Sequence, residues 1–255
     1  MLLAIDIGNT QTTAGLFAGE EMVARWATTT CSSETADEVH QTLASQLSLA
    51  GYSLDDVTDV VLASVVPALT STMSEVAERV SGRRPVVVGP GTKSGLPMRY
   101  DNPAEIGADR VADAVAAVSL YGAPAVVVDL GTATNIEVID EKGCFSGGII
   151  APGLVSSSEA LYKHAARLFQ VDFTVPKHVI GTNTADAIRS GVMLGEVARI
   201  DGLVARIFDE LGYVAPVIAT GGLGRYIADA SKTITFCEPN LTLLGLRMIY
   251  AKNRG

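Results

Sequence analysis

The residues best suited to chemistry stand in two copies of one short pattern. The first copy is Asp6-Ile7-Gly8-Asn9-Thr10, and the second, in mid-chain, is Asp129-Leu130-Gly131-Thr132. Each follows a short aliphatic run, which predicts a strand buried on both faces. The glycine allows a tight turn that exposes backbone N–H groups to an anion, and the aspartate can hold a metal ion beside it. Two such turns facing each other predict a clamp for a polyphosphate and its cation.

A third glycine-rich turn, Thr220-Gly221-Gly222-Leu223-Gly224, follows another apolar run. Its glycines would let the backbone lie flat against a ligand such as a purine ring or a ribose. Taken alone, the first turn could be an ordinary hairpin and the third a tight strand-to-helix connection. The order of the three turns favours two phosphate turns followed by an adenosine turn, which indicates a nucleotide-dependent phosphotransferase.

Asp109 is the candidate general base of such a transfer. Moving a phosphoryl group to an alcohol requires a base for the hydroxyl proton, neutralisation of the phosphate charge and in-line placement. Asp109 lies at the start of a predicted helix, follows an irregular loop and stands beside Arg110. A first-turn acid favoured by the helix macrodipole would explain it without catalysis. Gly107 and Arg110 favour the catalytic interpretation, because the trio offers a flexible approach, a base and an anion binder together.

Length and composition restrict the possible partners. The chain has 255 residues, 48% of them hydrophobic and 18% charged, and a formal net charge of −9. This acidic balance disfavours nucleic acid, which normally needs a basic face. Its three widely separated cysteines fit neither a disulfide framework nor a zinc site and suit a reducing compartment. Because we find no leader pattern and no apolar run of the roughly 20 residues that a membrane helix needs, we expect a cytoplasmic protein without a membrane partner.

The elements that must position these residues repeat as well. The first half reads as three strands followed by helix, strand, helix and strand, then an irregular stretch and a helix that ends at Tyr121. The second half restarts with three strands from Ala125, and its later segments are a long helical region, Pro176 to Ile180, a helix from Thr184 to Leu211, a strand from Val214 to Thr220, a strand from Thr233 to Cys237 and a helix from Leu241 to Lys252. This pattern predicts an α/β fold with two duplicated domains, residues 1–122 and 123–255, mixed sheets and a ligand cleft between them.

Together the three turns resemble those of the superfamily of acetate and sugar kinases, heat-shock chaperones and actin. The resemblance implies two ribonuclease-H-like, actin-like ATPase domains with the active site in the interdomain cleft. Over essentially its whole length the chain is more specifically similar to type III pantothenate kinases. The segments that carry this likeness are Gly89-Pro90-Gly91-Thr92, Tyr100-Asp101-Asn102-Pro103, Gly107-Ala108-Asp109-Arg110, Gly147-Gly148-Ile149-Ile150-Ala151-Pro152-Gly153, Asn183-Thr184, Ala187-Ile188-Arg189-Ser190-Gly191 and Leu241-Thr242-Leu243.

The resemblance to type III pantothenate kinases implies an activity and a set of site residues. The activity is ATP-dependent phosphorylation of pantothenate to 4'-phosphopantothenate, the first step of coenzyme A biosynthesis, by direct in-line transfer with Asp109 as the base. The residues implied in pantothenate binding are Tyr100, Gly107, Ala108, Arg110 and Thr184. The residues implied in ATP binding are Asp6, Ile7, Gly8, Asn9, Thr10, Gln11, Thr12, Thr13, Thr132, Gly221 and Gly222.

The same resemblance implies ions and a partner subunit. Asp6 would hold Mg²⁺, directly or through water, and Asp129 would be the ligand of a monovalent cation, K⁺ or NH₄⁺. Thr184 would reach the pantothenate bound by a partner subunit, so the active unit would be a homodimer, although the residue could instead be a plain helix N-cap.

Four positions depart from the usual family pattern and leave room for altered activity: Asn135, Glu137, Phe169 and Leu244. Two other functions therefore stay open. One is a nucleotide-binding regulatory homologue with weak or no catalysis, and the other is a different small-molecule kinase of the superfamily, such as a sugar kinase.

Overall fold

The structure is a computed structural model that describes residues 1–165 and 168–254. Ten strands and eight α-helices are found in this part of the chain. Those of the first half are β1 (Leu2–Ile7), β2 (Gln11–Ala18), β3 (Glu21–Thr29), α1 (Ala36–Leu49), β4 (Asp59–Ser64), α2 (Pro67–Ser81), β5 (Val86–Val87) and α3 (Ala108–Tyr121). Those of the second half are β6 (Ala125–Leu130), β7 (Ala133–Ile139), β8 (Phe145–Pro152), α4 (Leu154–His164), α5 (Thr184–Arg189), α6 (Gly195–Leu211), β9 (Val217–Thr220), α7 (Gly224–Ala228), β10 (Phe236–Cys237) and α8 (Leu241–Arg254).

The chain forms two compact units. The first contains residues 1–96 and 101–116 together with α8, and the second contains residues 97–100 and 117–240. The division therefore differs from the single boundary between residues 122 and 123 that the duplicated motif suggested. It differs because the last helix, α8, packs on β1 and β4 of the first unit.

Each unit contains a five-stranded mixed sheet, and the two sheets have the same topology. The first sheet has the order β3-β2-β1-β4-β5 and the second has the order β8-β7-β6-β9-β10. In each, the first strand of the unit is antiparallel to the second and parallel to the fourth. The predicted α/β fold with two duplicated mixed sheets is confirmed.

The matching registers place the two candidate aspartates in equivalent positions. Asp6 is the next-to-last residue of β1 and faces Ala63 of β4, and Asp129 is the next-to-last residue of β6 and faces Thr220 of β9. Both strands are central in their sheets and almost fully buried, as their continuous aliphatic runs require. Each turn that follows is therefore anchored on the core of its own unit.

Local sequence signals explain where several helices begin and end. Thr35 and Glu38 form a capping box at the start of α1, in which each side chain binds the other residue's backbone N–H. Pro67 begins α2, and Gly82 ends it with a φ of +69°, a left-handed conformation that glycine adopts without steric cost. The first-half element order that the sequence predicted is confirmed.

The second unit departs from the predicted elements in several places. Pro176–Ile180 has no regular secondary structure, and β9 begins only after Pro216. The predicted strand from Thr233 shortens to Phe236–Cys237, because the backbone N–H of Thr233 binds the Asp201 carboxylate instead of a neighbouring strand.

The long helix expected from Thr184 is interrupted by a π-helical turn at Ser190–Leu194, and α7 was not predicted. The helical region expected after β8 ends at His164, and Ala166 and Arg167 lie outside the described residues. No helix in the described ranges combines the length and the apolar character needed to cross a membrane.

Candidate active site

The first glycine turn is closed by its own backbone and tied to the end of β3. The Gly8 N–H donates to the Gln11 carbonyl at 3.0 Å, and a Cβ on Gly8 would lie 2.9 Å from that carbonyl oxygen, so the turn requires glycine here. The hydroxyl of Thr30 donates to the Gly8 carbonyl at 2.8 Å and lies 2.9 Å from the Thr12 hydroxyl. The tip of the turn, Asn9-Thr10-Gln11, is exposed. A fixed turn with an exposed polar tip fits the predicted anion site.

A hydroxyl-lined cavity lies beside this turn and was not anticipated from the sequence. Ser64 pairs with Ile7 in register, and the Val65 N–H donates to the Ile7 carbonyl at 3.0 Å. The cavity has a volume of about 520 Å³, which is in the range of small-molecule sites. Its lining residues come from the end of β4 and the first turns of α2: Ser64, Val65, Pro67, Thr70, Ser71 and Ser74. The unit thus has an open cavity next to the first glycine turn, and its hydroxyls bond to one another or to nearby carbonyls.

Asp109 lies in the first turn of α3, where one of its oxygens is fixed. Its Oδ1 accepts a hydrogen bond from the Arg110 backbone N–H at 2.8 Å. A Cβ on Gly107 would contact the same oxygen, so glycine at this position leaves room for the carboxylate. Asp109 is half-buried, whereas Arg110 is only 7% exposed. The structure therefore brings together the predicted base, the predicted anion binder and the glycine before them.

The helix that carries Asp109 is held firmly by α8. The Thr242 hydroxyl donates to the Asp113 carboxylate at 2.7 Å, and Asp113 is 1% exposed. A Cβ on Gly245 would contact the Ala112 carbonyl oxygen, which means that the two helix backbones touch at this point. The segment Leu241-Thr242-Leu243, singled out in the sequence, thus supports the element that positions the candidate base.

Tyr100 belongs to the second unit, whereas Gly107–Arg110 belong to the first. Its ring packs edge-on against Phe145, with the ring centres 6.0 Å apart. Next to it, Arg99 forms a 3.4 Å ion pair with Asp140. Burial raises the pKa of Asp140, but hydrogen bonds from the N–H groups of Cys144 and Lys142 and the charge of Arg99 outweigh it, so the net pKa lies below its ordinary value. Phe145 at the start of β8 and Asp140 just after β7 therefore fix Tyr100 and Arg99.

The second glycine turn, Asp129–Thr132, packs against the N-terminus of α4. The Gly131 N–H donates to the Ala133 carbonyl at 3.0 Å, which closes the turn. The Ser156 hydroxyl donates to the Thr132 carbonyl at 3.0 Å. A Cβ on Gly153 would contact the Thr132 carbonyl oxygen and would lie 2.6 Å from that of Gly131. These carbonyls therefore face α4, while Gly131 and Thr132 are exposed.

The third glycine turn lies directly against the second. Gly221 has a φ of +85°, and a Cβ on it would lie 2.6 Å from the Leu130 carbonyl oxygen and 2.7 Å from Asp129 Oδ1. A Cβ on Gly222, the next residue, would meet no atom within 4 Å. The structure thus brings the predicted cation ligand Asp129 and the predicted adenosine turn together within one unit.

Thr184 is exposed at the first residue of α5, and it is not the N-cap. That role belongs to Asn183, whose Oδ1 accepts from the Asp186 N–H at 3.0 Å. Arg189 binds both Asp186 and Asp172 and so ties the preceding loop to this helix. The capping interpretation of Thr184 is therefore wrong, and its hydroxyl is available for another contact.

Three of the four departures from the family pattern lie in the second unit: Asn135, Glu137 and Phe169. Leu244 lies in α8, which belongs to the first unit.

The donor set restricts how a metal could be held. Within residues 1–165 and 168–254, no group of three or more His, Cys, Asp or Glu side chains is arranged to hold an ion. A magnesium ion that a kinase holds with one or two carboxylates and the phosphates of its substrate needs no such cluster. The single aspartate of the first glycine turn, Asp6, fits that mode of binding.

Comparison with known proteins gives one consistent result. The family described as type III pantothenate kinase matches residues 2–206. The type III pantothenate kinase of Halalkalibacterium halodurans is 44% identical over 253 residues, which cover 99% of this chain and 100% of the relative.

Among solved structures, component A of (R)-2-hydroxyglutaryl-CoA dehydratase from Acidaminococcus fermentans is similar with a TM-score of 0.60, 15% identity and coverage of 100% and 99%. The ROK hexokinase of Thermus thermophilus is similar with a TM-score of 0.50, 13% identity and coverage of 99% of each chain. These two likenesses concern the fold, which is that of actin-like ATPases and ROK kinases.

Proposed function

The chain belongs to the type III pantothenate kinase family, and from this premise we propose how its residues perform the reaction. The protein is a kinase that phosphorylates pantothenate in coenzyme A biosynthesis. The phosphoryl donor is ATP and the product is 4'-phosphopantothenate. Neither a sugar kinase nor an inactive homologue is favoured, because the relative from Halalkalibacterium halodurans is similar over its full length and carries the pantothenate kinase name.

Asp109 is the base in this proposal. As the hydroxyl oxygen of pantothenate attacks the γ-phosphorus of ATP, its proton passes to the Asp109 carboxylate, the bond to the bridging oxygen breaks and ADP leaves. The hydrogen bond between Asp109 Oδ1 and the Arg110 N–H supports this role, because it fixes the orientation of the carboxylate before substrate binds. Transfer is direct and in line, with no phospho-enzyme.

Pantothenate is bound by residues around the start of α3. Arg110 suits the carboxylate of pantothenate because its planar guanidinium can bind two oxygens at once. Gly107 and Ala108 contact the substrate, and Tyr100 packs on it or donates a hydrogen bond. The support for this assignment is the tight anchoring of α3, which keeps base and anion binder on one rigid element.

ATP is bound by the three glycine turns. Residues Asp6–Thr13 and Thr132 bind phosphates, and Gly221 and Gly222 lie against the adenosine. Asp6 would hold Mg²⁺, and Asp129 would hold K⁺ or NH₄⁺, so that these ions neutralise phosphate charge where a P-loop protein uses a lysine. The contact of Gly221 with Asp129 supports a shared nucleotide and cation site in the second unit.

A second copy of the chain completes the proposal. Thr184 would contact the pantothenate bound by the partner subunit, which its exposed, non-capping position allows. Large apolar side chains are exposed in the segment before it, including Phe169, Val179 and Ile180. A homodimer interface would bury such side chains. We place the enzyme in the cytoplasm, where ATP is supplied and where its three free cysteines stay reduced.

The full-length similarity to named pantothenate kinases is the observation that carries this function. The test is a labelled-ATP assay in which the purified protein is incubated separately with pantothenate, glucose, N-acetylmannosamine and glycerol, each with and without K⁺. We expect label in phosphopantothenate only, and only when K⁺ or NH₄⁺ is present. Transfer to a sugar, or binding of pantothenate and ATP without product, would refute the function. Full activity without either cation would remove Asp129 from its assigned role.

A further inference from the structure

A buried polar network lies behind the second phosphate turn and has no role in the mechanism above. We call it the Thr134 network, after its central residue, and it consists of Thr134, Glu196 and Arg199. The Thr134 hydroxyl donates to Glu196 Oε1 at 2.8 Å and accepts from Arg199 Nη2 at 3.2 Å, while Arg199 also forms an ion pair with Glu196. Thr134 is 2% and Glu196 6% exposed, whereas the Arg199 side chain is 29% exposed. The two buried groups, bonded to each other and to Arg199, favour a single geometry.

The network holds the strand that leaves the turn and the end of the strand paired with it. Thr134 is the second residue of β7, two residues after Thr132. Arg199 also donates to the Pro152 carbonyl at 2.8 Å, and Pro152 directly precedes Gly153, the glycine whose Cα packs against the Gly131 and Thr132 carbonyls. One guanidinium on α6 therefore fixes the strand that leaves the turn and the strand end that supports it.

We propose that Glu196 and Arg199 are positioning residues for ATP, which hold the second phosphate turn through Thr134 and Pro152 so that Thr132 meets the nucleotide. The inference rests on the proposed function, in which this turn binds ATP. Neither side chain touches the nucleotide. Their effect is to remove the alternative conformations of the turn before ATP binds, which lowers the cost of binding.

The test compares variants that remove one contact with variants that keep it. Thr134→Val removes the hydroxyl with little change of shape, Thr134→Ser keeps it, and Arg199→Met keeps the apolar stem without the guanidinium. Arg206→Met, an exposed arginine on the same helix, is the control. The readouts are the Kd of a non-hydrolysable ATP analogue by calorimetry, the KM values of ATP and pantothenate, kcat, and the melting temperature.

We expect Thr134→Val and Arg199→Met to raise the Kd of the analogue and the KM of ATP about tenfold, since each removes a hydrogen bond within a charged buried network. The KM of pantothenate should stay at the wild-type value. Thr134→Ser and Arg206→Met should behave like the wild type. The double variant Thr134→Val/Arg199→Met should lose less affinity than the two single losses combined, because both substitutions remove the bond between Thr134 and Arg199.

Other results would overturn the inference. Wild-type affinity for the analogue in both Thr134→Val and Arg199→Met would show that the network does not position the turn. Equal losses for ATP and pantothenate that follow the melting temperature, with no rescue by Thr134→Ser, would make the network purely structural. If the wild type bound the analogue but formed no phosphopantothenate, the proposed function would fail while the binding comparison still tested the network.

Discussion

Replacing Gly221 by alanine tests how tightly the second and third turns are packed. The new Cβ would lie 2.6 Å from the Leu130 carbonyl oxygen and 2.7 Å from Asp129 Oδ1, and the residue would keep a φ of +85°. A left-handed conformation costs a residue with a Cβ about 1–2 kcal/mol, and forcing a buried backbone apart costs about 1–3 kcal/mol. Gly221→Ala should therefore destabilise the protein by about 2–5 kcal/mol.

Gly222→Ala is the matched control, since a Cβ there meets no atom within 4 Å. The assay is urea unfolding followed by circular dichroism, with the Kd of the ATP analogue measured on the same preparations. Gly222→Ala should unfold near the wild-type urea concentration. Gly221→Ala should unfold earlier, bind the analogue more weakly and lose part of its response to K⁺, because Asp129 must move. Equal unfolding midpoints for the two variants would refute the close packing of these turns.

Two further predictions concern other contacts. Burial raises the pKa of Asp201, but hydrogen bonds from Ser231, Thr233 and the Lys232 N–H outweigh it, so the folded pKa is depressed. The carboxylate then stabilises the fold above its ordinary pKa, and this contribution is lost as the pH falls through the folded value. Asp201→Asn should thus cost about 1–3 kcal/mol of unfolding free energy near neutral pH and progressively less in acid, and a constant difference across pH would contradict this. Gly245→Ala should destabilise by about 2 kcal/mol or more in urea unfolding because its Cβ meets the Ala112 carbonyl, whereas Gly202→Ala, in an open position of α6, should be neutral or stabilising by up to about 1 kcal/mol.

The sequence predicted the duplicated topology because the signals for it are local. Two aliphatic runs, each ending in an aspartate and a glycine, mark β1 and β6, and the sheets built on them have the same strand order. Helix starts such as Pro67 and the glycine after α2 are also local signals. The proximity of Asp109, Arg110 and Gly107 follows from their neighbouring positions in the chain, so it could be predicted too.

The parts that could not be predicted depend on contacts between distant segments. Glu196 and Arg199 reach Thr134 from more than 60 residues away, and Ser156 reaches Thr132 across 24 residues. No pattern within one segment indicates such a pair. The packing of α8 on the first unit is of the same kind, because the helix returns to a sheet formed at the other end of the chain.

The prediction of regular structure at Pro176–Ile180 is wrong for a different reason. Its β-branched residues, Val179 and Ile180, are 72% and 82% exposed in this protomer, so no core selects an extended strand there. A short apolar run predicts a strand only when a partner strand buries it.

The turnover number of the Asp109→Asn variant shows whether Asp109 is the base. Asparagine keeps an oxygen that accepts from the Arg110 N–H, but it cannot take the hydroxyl proton. The control is Glu105→Gln, which removes an exposed carboxylate and keeps the oxygen that accepts from Asn102. We predict that kcat for phosphopantothenate falls about 10²–10⁴-fold in Asp109→Asn, while the Kd values of pantothenate and the ATP analogue stay close to the wild type. A folded Asp109→Asn enzyme that turns over as fast as Glu105→Gln would contradict it.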